Sequence, residues 1–359
     1  MGTMDRGNGQ NGVQIMFTAS NNVVGGESVG ARNIISGNNQ EGVLITGSGA
    51  DGNRVIGNYI GTDESGSSAL GNTYNGVKIF GGPTNTEIGG DTAAEGNLIS
   101  GHGNSGVRVD GSSTSGTIIS GNAIGVDAAA MAHLANAHNG ITVTGGANHT
   151  MIGGDLPAEC NILSGNLFRG VSLVGPGTSN NTVKGNYIGT DGTGLGPLGN
   201  GSHGVLAVDS ANLNTIGPNN LIAFNIGDGV GVESALDVTI TQNSIHTNGG
   251  LGIDLVGGAN NGAVAPTITQ TYVGSLVIEG LSGQPDATVE VFSNPDNPGE
   301  GKTYLGSAPT IGGVFSLTVP CVTDRYLTAT VTDPGGNTSE FSATFTSTVS
   351  CVFLPLIMR

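Results

Sequence analysis

The chain has 359 residues, of which 66 are Gly and none is Trp, with 36% hydrophobic and only 10% charged residues. That composition excludes a conventional core of large side chains and disfavours helices, because each interior Gly costs about 1 kcal/mol relative to Ala. A formal charge of −17 with only 10 Lys and Arg excludes a nucleic-acid partner, which needs a basic stripe to neutralise phosphates. No stretch approaches the roughly 20 apolar residues of a membrane span.

The first residues, MGTMDRGNGQ, lack the apolar segment of a signal peptide. They already lie inside a repeat, so the chain reads as part of a longer reading frame. NYIGTD at 58–63 returns as NAIGVD at 122–127 and again as NYIGTD at 186–191, a spacing of 64. Each unit splits into two unequal turns, and each turn holds three short apolar strands that align in columns. The first column is Ile35, Ile60, Ile99, Ile124, Leu163, Ile188, Ile222 and Ile245. The second, always after a Gly, is Val43, Val77, Val107, Ile141, Val171, Val205, Val230 and Ile253; the third runs from Val55 through Ile119 to Ile240. Alternation of period two without a helical 3.6 pattern, repeating once per turn, predicts a right-handed, three-faced parallel β-helix over residues 1–262.

An Asn precedes every first-column strand, at 33, 58, 97, 122, 161, 186, 220 and 243, and is read as a structural ladder at a corner. Alternate turns carry two insertions beside the first face. Outward residues there include Ile34, Tyr59, Leu98, Ile162 and Tyr187, which the inserted Leu70, Leu134 and Leu198 are expected to cover. After a Pro-bounded break at 266, strands such as ATVEVFS and YLTATVT alternate apolar and polar positions. They predict a seven-strand, Ig-like antiparallel β-sandwich over 266–349, followed by an apolar tail at 350–359. Cys321 and Cys351 form a disulfide or remain two buried thiols. Cys160 takes the slot of Gly96 one repeat earlier and reads as a passive small residue.

IGTDESGSSALGNTYNGV at 60–77 and NTEIGG at 85–90 resemble the repeats of bacterial surface and secreted proteins built on right-handed parallel β-helices. The resemblance covers roughly residues 8–258, and VTDPGGNTSEFS is similar to the sandwich that ends such proteins. VFLPLIMR looks like the apolar tail of exported proteins of Chloroflexi-type bacteria. The resemblance specifies the fold far better than the function, because lyases, hydrolases, epimerases, adhesins and tailspikes share the scaffold.

Polygalacturonases of this scaffold combine clustered Asp residues, Gly-His-Gly and a basic motif. Gly101-His102-Gly103 is present, but its companions are not. Counting from the Ile column places His102 in a turn column with Asp63 and Asp127 on either side, an Asp-His-Asp stack able to hold a general base or a cation such as Ca²⁺, or else a solvated turn ladder. Lys78, Arg108 and Asp110 are expected to point outward on neighbouring turns of the second face, as a carboxylate-sugar site or as an ion pair. Tyr59 and Tyr187 offer rings for sugar stacking unless the loops cover them.

The preferred expectation is a non-catalytic, adhesin-like extracellular or cell-surface protein that binds polysaccharide, matrix or neighbouring chains, with the sandwich as a spacer or attachment module. Self-association through the solenoid ends is a further expectation. The rival is a polysaccharide lyase or glycoside hydrolase acting on an acidic polysaccharide.

Overall fold

The computed structural model describes residues 7–272, 276–296, 299–319 and 324–347. Cys321, Cys351 and the 350–359 tail lie outside the described residues. Within them the Ile and Val columns do what their spacing demands: each strand is two to four residues long and pairs in parallel with its equivalent one turn away. Ile35 pairs Ile60, which pairs Ile99; Val77 pairs Val107, which pairs Ile141; Ile88 pairs Ile119, which pairs Ile152. The chain visits the sheets in rotation, giving a first sheet of eight strands, a second of nine and a third of eight. This is a parallel β-helix, as the sequence predicts.

Inside the prism like residues stack on like residues in one continuous core. Most of these Ile and Val side chains are wholly buried, and each contributes about 1.5 to 3 kcal/mol. The chain turns two corners of the prism on ladders of amides. In the ladder at the first, each Asn Nδ2 donates to the Oδ1 of the next, from Asn33 to Asn58, Asn97, Asn122, Asn161, Asn186, Asn220 and Asn243.

The coil's last strand is Ile253–Val256, and a short 3₁₀ turn at Ala259–Gly262 leads out of it. Between Thr267 and Thr346 the strands become antiparallel, forming a three-stranded and a four-stranded sheet around a second core that includes Ile278, Val289, Val291 and Leu327. This module is more than a spacer, because it closes the coil. A coil that stops leaves a last turn of unpaired backbone N–H groups, costly to bury unsatisfied. Each face receives a partner: Glu290 accepts from Gln242 at 2.9 Å, Glu300 from Thr247 at 2.6 Å, and Glu340 from Leu255 at 3.0 Å. Phe341 packs on the end of the core. It takes the place of the next turn's Ile against Gly252, where a Cβ would meet the ring at 2.8 Å. The expected self-association through the solenoid ends is not shown, and at this end the chain's own C-terminal module occupies the last turn.

Candidate functional site

On the second sheet Lys78 and Arg108 lie side by side in register, with side chains about a third exposed or less. Each has a carboxylate of its own. Lys78 Nζ is 3.8 Å from Glu41 and 4.8 Å from the centre of the Phe80 ring. Arg108 donates from Nε and Nη2 to Asp110 Oδ2 at 3.1 and 3.0 Å. Pairs this exposed stabilise by at most about 1 kcal/mol, and as they stand the carboxylates answer the cations locally.

The Asp-His-Asp stack does not form. The chain leaves the coil at Thr62, makes a loop pinned by a Thr62–Ala69 bridge, and returns at Asn72. The ladder at this second corner therefore reads Asn38, Asn72, His102, Asn136, Asn166, Asn200, Asn225 and Asn248. Its members sit four residues before the Gly that opens each second-sheet strand, a constant spacing that would have located them. Counting forward from the Ile column instead lands on the first residue of each inserted loop. His102 is 1% exposed. Its Nδ1 accepts from the Asn72 N–H at 3.2 Å, and Nε2 lies 3.1 Å from the Ile60 carbonyl. Burial lowers its pKa to about 3, although the Ile60 bond opposes this, so the ring is neutral and out of a ligand's reach.

Asp63 and Asp127 anchor their own loops. Asp63 accepts from the Ser65 hydroxyl and the Ser67 and Ser68 N–H groups; burial works against its charge, and these bonds nonetheless hold it below the usual carboxylate range. Asp127 accepts from the Met131 and Ala132 N–H groups, and both carboxylates act as Asx-type turn closures. Among the described residues no group of three His, Cys, Asp or Glu is placed to hold a metal ion.

The three inserted loops roof the first sheet. They bond to one another across the intervening short turns, Ala128 N–H to the Gly66 carbonyl and Gly192 N–H to the Ala130 carbonyl. Gly66, at φ +69°, fits so closely over Leu98 and Tyr59 that a Cβ there would sit within 3 Å of both. Leu198 joins Val126 and Ala130 in a small outer core against Ala123 and Ile162. The covering thus comes from the loops' small residues together with Leu198; Leu70 and Leu134 are only half-buried.

Tyr59 and Tyr187 occupy equivalent positions but meet different neighbours. At Tyr59 the guanidinium of Arg32 lies over the ring, 3.9 Å from its centre. The residue equivalent to Arg32 beside Tyr187 is Cys160, far too short to cover a ring. There a cleft of about 530 Å³ opens, walled by Asp155, Leu156, Pro157, Cys160, Tyr187 and Asn219. Lys184 Nζ is 2.7 Å from Asp155 Oδ2 at this cleft. Burial pushes the Cys160 thiol up to about 11, so it is no nucleophile at neutral pH. An aromatic ring, a carboxylate and a side-chain amide converging in an open cleft suit a sugar, whose apolar face stacks while its hydroxyls hydrogen-bond. Sequence reasoning had singled out Tyr187 but missed the cleft, since the decisive change is what Cys160 fails to cover.

Fold and surface together define a parallel β-helix protein closed by an antiparallel module, with an open cleft beside Tyr187 on its otherwise roofed first face. No family model matches the chain, and no curated protein does. Solved structures similar to it include a mutant periplasmic alginate epimerase, 13% identical with a TM-score of 0.35, covering 61% of this chain and 60% of that one. Tailspike protein 2 of the Escherichia coli O157:H7 bacteriophage CAB120 is 10% identical with a TM-score of 0.37, covering 95% of this chain and 60% of its own. The tailspike of E. coli bacteriophage HK620, in complex with a pentasaccharide, is 11% identical with a TM-score of 0.25 over 80% of this chain and 68% of that one. The chain thus spans 60% of the length of the first two. No helix among the described residues is long and apolar enough to cross a membrane.

Proposed function

We propose that this protein is a non-catalytic, adhesin-like rod of the bacterial surface or extracellular space that binds glycan or matrix polysaccharide through the Tyr187 cleft. The C-terminal module, for which the alternating strands predict an Ig-like sandwich, serves as the rod's cap. One observation carries the reading: the repeat roofs its aromatic stripe, covering Tyr59 with Arg32, yet leaves an open cleft against Tyr187. The titratable groups in the cleft and elsewhere on the coil support binding over turnover. Asp155 is paired with Lys184, Cys160 is held protonated, and His102, Asp63 and Asp127 serve the backbone. Lys78, Arg108 and Asp110 form the secondary candidate surface.

A glycan array probed with wild type, Tyr187→Ala and Tyr59→Ala tests this. Binding should fall at least tenfold in Tyr187→Ala and stay within twofold in Tyr59→Ala. Equal loss in both variants, or no loss in either, removes the cleft from the account. Incubation with pectin, alginate and glucuronan, followed by absorbance of unsaturated ends and reducing sugar, should show no product. Turnover abolished by Lys78→Ala would place the protein among lyases or hydrolases of acidic polysaccharides instead.

A further inference from the structure

A polar side chain stands before the Gly of successive second-sheet strands: Glu41, Asn75, Ser105, Asn139, His203 and Asp228. Every one of these six has a bonding partner. Glu41 accepts from Asn75, Asn75 accepts from the Ser105 N–H, Ser105 and Asn139 meet Thr142, and His203 meets Asp228. Arg169 occupies the same column between Asn139 and His203 and breaks the pattern. Its N–H joins the ladder through Asn139 Oδ1, but among the described residues its guanidinium makes no hydrogen bond or ion pair, and its Nε is buried without a partner.

A buried N–H donor without a partner is rare in a folded protein, and the guanidinium's other four donors are not buried and have no partner among the described residues. Glu233 acts on Arg169 electrostatically, but no contact joins them. The guanidinium carbon lies 4.7 Å from the centre of the Phe168 ring, and that ring stacks on His138 with centres 5.1 Å apart and planes 15° from parallel. Stacking fixes the plane of a guanidinium and leaves its edge free to grip an oxyanion bidentately. Both Arg169 and Arg108 lie near enough to His138 to disfavour its charged form, adding to the effect of burial. With only 10 Lys and Arg in a chain of net charge −17, a guanidinium without an ion-pair partner is a local exception, whereas that of Arg108 is answered by Asp110.

We propose that Arg169 anchors a second, anion-selective site on the flank of the second sheet, which takes the oxyanion of an acidic saccharide, a uronate carboxylate or a sulfate ester. Phe168 and His138 hold the guanidinium plane. The site uses no residue of the Tyr187 cleft, so the two stand or fall separately.

Calorimetric titration with trigalacturonate, its methyl ester and a sulfated galactose trisaccharide tests it, using wild type, Arg169→Gln, Arg169→Lys and Tyr187→Ala. Wild type should bind at least one acidic probe at least tenfold more tightly than the ester, with affinity falling as salt rises. Arg169→Gln should lose at least tenfold and Arg169→Lys less, while Tyr187→Ala leaves the acidic probe's affinity unchanged. Whichever acidic probe binds identifies the source of the oxyanion. Equal affinity for acid and ester, or for wild type and Arg169→Gln, overturns the proposal. So does an Arg169→Gln protein that unfolds well below wild type, because Arg169 would then be a strut.

Discussion

At position 102 an imidazole stands in for an amide. In that ladder Asn200 accepts the Asn166 N–H and donates to the Leu163 carbonyl, both of the preceding turn, and donates onward to Asn225. His102 reproduces the acceptor at Nδ1 and meets the Ile60 carbonyl at Nε2, but unlike Asn136, which donates to Asn166, it has no donor left for the next rung. The substitution makes stability depend on pH. Unfolded, the ring takes a proton near pH 6.5; folded, burial holds its pKa at about 3. Between those values the unfolded state binds more protons, so stability falls as pH falls, by about 1.4 kcal/mol per unit. His102→Asn restores the rung and removes the titration. Its denaturant-derived stability should lie within about 1 kcal/mol of wild type at pH 7 and exceed it by about 2 to 3 kcal/mol at pH 4.5; a difference that does not grow on acidification would show that His102 is hydrated. The identity of His102 as a repeat residue was legible in the sequence, because it fills an Asn slot. Its true neighbours were legible only by counting back from the Gly of each second-sheet strand, because an inserted loop displaces the register counted forward from the Ile column.

The same logic at the level of the element separates the corners. Beside the first sheet the Asn ladder runs unbroken, and Asn122 donates to the carbonyls of Ile88 and Ser120 as well as to Asn161. Beside the third sheet the column passes from Asn53 to Asn181 through Thr86, Thr117 and Thr150, whose buried hydroxyls have no partner. Replacing a bonded buried group by an apolar one leaves its partners stranded, whereas replacing an unbonded one strands nothing. Asn122→Val should therefore cost about 3 kcal/mol or more, and Thr117→Val, nearly isosteric, should be neutral or stabilise by about 1 kcal/mol. Urea midpoints of the two variants provide the check, and a destabilised Thr117→Val would mean that an ordered water serves that corner. The strand columns themselves were readable because β-branched residues recur in phase. The roofing of the first face was readable only in outline, since Gly66 and Ala130 cover it through small size and close approach, which carry no hydrophobic signal.

Over the whole molecule, carboxylates join the coil to its cap. Glu290 and Glu300 are buried at the junction, which raises the pKa of both, while bonds from Thr241 and Gln242, and from Thr247 and Asn248, pull the other way. A carboxyl whose folded pKa is raised holds its proton more readily in the native state than in the unfolded one. Its contribution is therefore fully present below the ordinary Glu range and is lost as pH rises through the folded value, opposite in sign to that of His102. The sequence announced a sandwich but not its docking, since a Glu on an alternating strand reads as solvent-facing until the end of a coil is laid against it. Glu290→Gln keeps an acceptor for the Gln242 N–H, and its amide can donate to the Thr241 hydroxyl, so the hydrogen bonds survive while the buried charge goes. The variant should match wild type near pH 4 and become progressively more stable than it towards pH 8, as read from thermal midpoints across that range. Glu290→Ala, by contrast, leaves the Gln242 N–H and the Thr241 hydroxyl unpaired and should cost about 1 to 3 kcal/mol at every pH. Should both variants behave alike, the cap would be held by Phe341 and its apolar contacts rather than by carboxylates closing the last turn.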